Sequence, residues 1–141
     1  MREIKFRVWD KEEKEFIYFN KFGFWEDGSL MYVQQIDDCE REIEPPFFVE
    51  TNTVSINQFT GLKDSNGKEI YEGDIYAYHI TVASVQGVEF SFEKTSVVEW
   101  RDGAFWVNEY LLSEALEGDD NPVIIGNIYE NPELEEINTN E

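Results

Sequence analysis

Few residues in this chain are equipped for chemistry. His79 is the single histidine and Cys39 the single cysteine among 141 residues. One histidine removes most histidine-based metal constellations, and one cysteine supports neither an internal disulfide nor a cysteine-rich zinc site. Cys39 lies in Asp37-Asp38-Cys39-Glu40. In that acidic run it is expected to be a bystander thiol. There is no Gly-Xaa-Ser-Xaa-Gly elbow, no glycine-rich phosphate loop ending in Lys-Ser or Lys-Thr, and no His-Glu-Xaa-Xaa-His pair. His79 alternates onto the more polar side of a predicted strand, where it is expected at a solvent-facing position. Carboxylate pairs carry little information, because 31 acidic residues bring some together by chance. Asp64 to Glu69 superficially resembles a calcium loop. Its glycine, Gly67, is fourth rather than sixth, and the twelfth position is Ile75 rather than glutamate. No catalytic residue, metal ligand or cofactor is expected, and the chain reads as a non-enzyme.

Binding is the chemistry that remains. The balance of 31 acidic against 11 basic residues gives a formal charge of −20. Duplex nucleic acid needs a basic stripe to replace phosphate counterions, and none is present, so direct duplex binding is not expected. The acid gathers in several loops, and three explanations compete for it: plain solubility, a face that meets a basic partner, or divalent cation binding. On the second reading the candidate partner-binding residues are Trp25, Glu26 and Asp27 at one predicted turn, Asp37 and Asp38 at another, and Asp119 and Asp120 after a predicted helix. Trp25 is expected to be exposed at a loop tip. A small-molecule site would instead need cations beside aromatic rings. The nearest candidates are Arg7, Lys63, Trp100, Arg101 and Trp106, with Trp100 and Trp106 straddling one turn and, if the register allows, sharing a face as a stacking platform.

These residues must be placed by strands. Ile4 to Trp9 alternates as a strand, Asp10 to Lys14 is a charged turn, and Glu15 to Phe19 returns. Phe22 to Trp25 and Leu30 to Gln35 flank a second turn, the stretch from Asp37 to Pro46 reads as a connecting loop, and Phe47 to Val49 re-enters structure. A seam between two lobes is expected between that point and Phe59. Beyond it, Tyr76 to Val82 and Val88 to Phe92 alternate as half-buried strands, and Asp102-Gly103 closes a tight hairpin between Val97–Trp100 and Ala104–Val107. Asn108 is expected to cap a short helix from Glu109 to Glu117, before a closing strand at Val123 to Ile125.

Three segments carry a resemblance. Arg2 to Asp10 at the start, Gln58 to Ile75 in the middle and Ile125 to Leu134 at the end together resemble the YopX family of small phage and prophage proteins. The middle segment, with Asp64-Ser65-Asn66-Gly67 between apolar flanks, also reads as a tight turn, and Gly61, Gly67 and Gly73 as successive bends. The resemblance implies an SH3-like barrel and no agreed activity.

The expected fold is α+β, mainly β: an N-terminal β-rich lobe over residues 1–57, an SH3-like small barrel with one short helix over 58–131, and an acidic tail over 132–141. No apolar stretch of membrane-spanning length and no secretory signal is read, so no membrane association and a host-cytoplasmic location are expected. The expected role is an accessory binding protein, a stoichiometric inhibitor or adaptor of a host or phage protein with a basic surface, with a defence factor among the candidate targets. The chain is also expected to assemble as a homo-oligomer. A sequestering binder of a nucleotide signal and a structural or assembly subunit are the alternatives.

Overall fold

The computed structural model describes residues 3–50, 53–83, 86–87, 89–119 and 121–135. The chain divides into two compact units, Phe6–Asn57 and a larger one of Met1–Lys5 with Gln58–Glu141. The expected lobe over residues 1–57 therefore starts at Phe6, and Lys5 belongs with the larger unit. Lys5 is held there by its carbonyl, which accepts the Phe59 amide at 2.8 Å, and by its ammonium, which lies 2.6 Å from the Glu69 carboxylate.

In the smaller unit β1 (Phe6–Asp10) pairs antiparallel with β2 (Glu15–Ile17), with Val8 opposite Ile17. Asp10 caps the intervening turn by accepting the amides of Glu12 and Glu13. A three-stranded sheet follows in the order β3 (Phe19–Phe24), β4 (Leu30–Gln35), β5 (Phe47–Phe48). Val8, Ile17 and Val33 form the core of this unit, lined by Phe19, Phe22, Leu30, Phe47, Val54 and Ile56. Complete burial of each such aliphatic side chain contributes roughly 1.5–3 kcal/mol. The strand β6 (Val54–Lys63) is continuous, with residues 54–57 in the smaller unit and 58–63 in the larger.

The larger unit contains β7 (Glu69–Tyr71) beside β6, and a curled five-stranded sheet. Its members are β8 (Asp74–Ala83), β9 (Glu89–Arg101), β10 (Ala104–Val107), β11 (Tyr110–Leu111) and β12 (Val123–Asn127), in the order β11-β10-β9-β8-β12. A short helix α1 (Leu112–Gly118) and a single turn α2 (Pro132–Glu135) complete it. The protein is thus mainly β with one short helix of more than a turn, and its larger unit is partly barrel-like. Ile70, Tyr76, Val98, Val107, Leu112 and Ile124 pack together as its core.

Three local expectations change. The helix begins at Leu112, because Asn108 adopts φ 53° and turns the chain from β10 into β11; Leu111 precedes the helix without a side-chain cap. The two strands expected over 88–92 and 97–100 belong to one strand of 13 residues, β9, whose polar Thr95 and Ser96 are buried against β8 rather than looped out. Val88 itself, the side chain of His79 and residues 136–141 lie outside what is described. The tail begins ordered: Pro132 opens α2, and Thr95 donates to the Leu134 carbonyl at 3.2 Å.

Candidate functional site

The segments that carry the family resemblance are structural clasps. Asp64, only 7% exposed, accepts the Asn66 and Lys68 amides on one oxygen and the Ile124 amide on the other, each at 2.9 Å. One carboxylate thereby closes its own turn and ties it to β12. Gly67, at φ 80°, supplies the left-handed step the turn needs. Asn127 does the same work locally, accepting the Tyr129 and Glu130 amides. Gly126 lies so close to Asn131 that an added Cβ would come within 2.3 Å of its side-chain oxygen. These residues are occupied by the fold.

The site with room for a ligand lies elsewhere in the larger unit. A cleft of about 890 Å³ is bounded by β8, β9, the β10–β11 turn and α1. That volume lies within the range of about 300–1,000 Å³ usual for ligand sites. Tyr76 and Tyr78, two apart on β8, share a face, with ring centroids 5.8 Å apart. Lys94 stands opposite Tyr78 across the β8–β9 ladder. Val107 adds an apolar wall, and Asn108 donates to the Tyr78 hydroxyl at 2.5 Å. The Tyr76 hydroxyl lies within hydrogen-bonding reach of the Ala115 carbonyl (3.3 Å) and the Asp119 carboxylate (3.2 Å). Burial, and then the charge of Asp119, push its ionisation far above the ordinary value of 10. Tyr76 therefore stays a neutral donor.

Charge in the cleft is predominantly negative. Glu99, Glu109, Glu114 and Asp119 line it, against Lys94 and Arg101. Arg101 is already engaged by Glu99 at 3.0 Å, donates to the Asn108 carbonyl, and stacks over Trp106 at 5.0 Å. The arrangement suits a ligand that brings positive charge and an apolar stem.

The sequence candidates are distributed unevenly. Trp25, Glu26 and Asp27 form the exposed β3–β4 turn, in which Asp27 accepts the Ser29 amide and hydroxyl. Those two hydrogen bonds lower its carboxyl below 3.8. Asp37 and Asp38 lie on the loop after β4. Asp37 accepts the Arg41 and Cys39 amides and pairs with the Arg41 side chain, so its carboxyl too is lowered. The ligating atoms of Asp37, Asp38 and Cys39 fall within 4.8 Å of one another, but both Asp37 oxygens already serve that turn. Asp119 reaches the cleft, and Asp120 lies outside the described residues.

Of the small-molecule set, only Arg101 lines the cleft, with Trp106 against it. Arg7 belongs to the smaller unit, bonded to Asn57 and over the Phe16 ring, and Lys63 is an exposed residue opposite Glu69. Trp100 and Trp106 form no shared platform. The two-residue turn pairs Trp100 with Phe105 and Trp106 with Glu99, so period-two alternation sends the tryptophans to opposite faces. Tyr76, Tyr78, Lys94, Glu109 and Glu114 were not singled out. The alternation of the two tyrosines was visible, but their pairing with Lys94 depends on a long hairpin register.

The family described as YopX protein matches residues 5–136, nearly the whole chain. The chain belongs to the YopX family. The crystal structure of protein EF1440 from Enterococcus faecalis resembles this YopX chain with a TM-score of 0.70 and 31% sequence identity, over 95% of this chain and 99% of that one. None of the curated proteins matches. Among the described residues no helix is long and apolar enough to cross a membrane.

Proposed function

We propose that this YopX-family chain is a non-enzymatic binding protein that acts stoichiometrically on a protein partner with a basic surface, using the cleft of its larger unit. The observation that carries this reading is the cleft's charge: the four carboxylates of Glu99, Glu109, Glu114 and Asp119 against the two cations Lys94 and Arg101, beside the partly exposed ring of Tyr78. A lysine or arginine side chain lays its apolar stem along aromatic rings and leaves its charge among carboxylates, which is the chemistry this lining offers. The phage and prophage setting of the family fits a partner from the host or from the phage itself.

The test is affinity purification of the tagged full-length protein from infected host cells, beside a Glu109→Lys, Glu114→Lys variant. Both substituted residues are partly or fully exposed, so the fold should tolerate the change. A stoichiometric partner lost at high salt and lost in the variant is the expected result. A partner indifferent to both salt and variant would overturn the reading. Lys94 and Arg101 in the same cleft favour a second reading, a nucleotide binder, which predicts a released nucleotide after denaturation and no protein partner.

A further inference from the structure

The smaller unit has an open sheet edge at β5. Strand β5 has only two residues and ends the sheet order β3-β4-β5. Its register places Phe48 opposite Tyr32 and Phe47 opposite Val33. The next step along, Val49 donates to the Met31 carbonyl at 2.9 Å. Antiparallel pairs alternate between those that exchange hydrogen bonds and those that do not. The bonded pair at Val49 therefore makes Phe48 a non-bonded position, with its N–H and C=O directed away from β4, toward the open edge. Among the described residues neither group has a partner, and the Phe48 side chain is 69% exposed.

Beside this edge runs a groove of about 390 Å³. Phe47, Phe48 and Val54 supply its apolar surface, while Asp10, Glu12 and Glu50 supply charge, and among the described residues no lysine or arginine lines it. Asp10 keeps one oxygen on the Glu12 and Glu13 amides. An open edge residue invites strand addition, and the groove decides what kind of strand.

We propose that the edge of β5 receives an extended, basic segment of a protein partner by strand addition at Phe48. The incoming backbone would bond to the Phe48 N–H and C=O; its alternate side chains would set apolar groups on the Phe48 ring and lysines or arginines among Asp10, Glu12 and Glu50. Two backbone hydrogen bonds alone supply at most about a hundredfold in affinity. Pro46, which has no N–H, limits the edge on one side, so charge must supply the remainder. The same reasoning argues against a second copy of this chain, whose net charge of −20 would place like charges on the groove.

The probe is a synthetic decapeptide alternating lysine and valine, added to the full-length protein, with its glutamate–valine counterpart as control. The expected result is saturable binding with slowed hydrogen exchange at the Phe48 amide, and no binding of the glutamate peptide. Phe48→Pro, which deletes the outward N–H, should weaken binding about tenfold. Glu12→Gln with Glu50→Gln, both at exposed positions, should weaken it comparably even if the proline variant misfolds. Binding with unchanged Phe48 exchange would overturn the inference, as would equal binding of the glutamate peptide or no binding at all. Shifts confined to Tyr78 and Glu114 would also overturn it, while leaving the cleft reading intact. Self-association through the Phe48 edge would overturn it in favour of an interface between copies.

Discussion

Asp64 in the larger unit and Asp37 in the smaller one use the same device to different ends. Each accepts two amides from its own turn on a single oxygen. The second oxygen makes the difference. That of Asp64 reaches an amide 60 residues away on β12 and is buried, whereas that of Asp37 meets the side chain of Arg41, four residues on, in solvent. Turn chemistry is set locally, but its energetic weight is set by what the spare oxygen finds and how dry that contact is.

Substitutions can break this contrast. The largest effect is expected for Asp64→Ala, which strips partners from three backbone amides and should cost about 4 kcal/mol in a denaturant melt. Asp64→Asn should lose roughly half as much. Its carboxamide can still accept from the turn but turns a donor toward Ile124, so the loss should appear as faster hydrogen exchange in β12 with the turn intact. If Asp64→Ala behaved like a surface change, the long-range clasp would be irrelevant.

Tyr76→Phe comes next, with an expected loss of about 1 kcal/mol for the hydroxyl bonded at Ala115 and Asp119. Because folding raises the ionisation of Tyr76 above 10, its contribution is complete below pH 10 and declines as pH rises beyond it. The wild-type melting temperature should therefore fall between pH 10 and 11 more steeply than that of the phenylalanine variant. Asp37→Ala should be the smallest effect, leaving the melting midpoint within experimental error. Its lowered carboxyl makes the clasp complete above pH 3.8 and lost as pH falls below that, readable in the Cys39 and Arg41 amide shifts.

Much of the strand layout was legible. The charged turn after Asp10, the turn at Asp27-Gly28 and the Asp102-Gly103 hairpin all carry local signals that decide their own geometry. The cleft was not legible, because Tyr78 and Lys94 meet only through the β8–β9 register, and Glu114 enters only once α1 is seen to start at Leu112. Asn108 illustrates the ambiguity: the residue type that caps helices also tolerates positive φ, and here the second property wins. The mixed fate of the tryptophans has the same origin. Whether Trp100 and Trp106 share a face depends on the parity of a turn, which side-chain types alone do not set.

The reach of Asp64 also bears on how the chain is made. Its partner at Ile124 is synthesised 60 residues later. At about 5–20 residues per second the carboxylate waits roughly 3–12 s for that amide to appear, and longer while the new chain clears the ribosome. A product that stops before β12 keeps the turn but never closes the clasp. Until β12 is made, Asp64 closes only its own turn, and its second oxygen is left without the Ile124 amide.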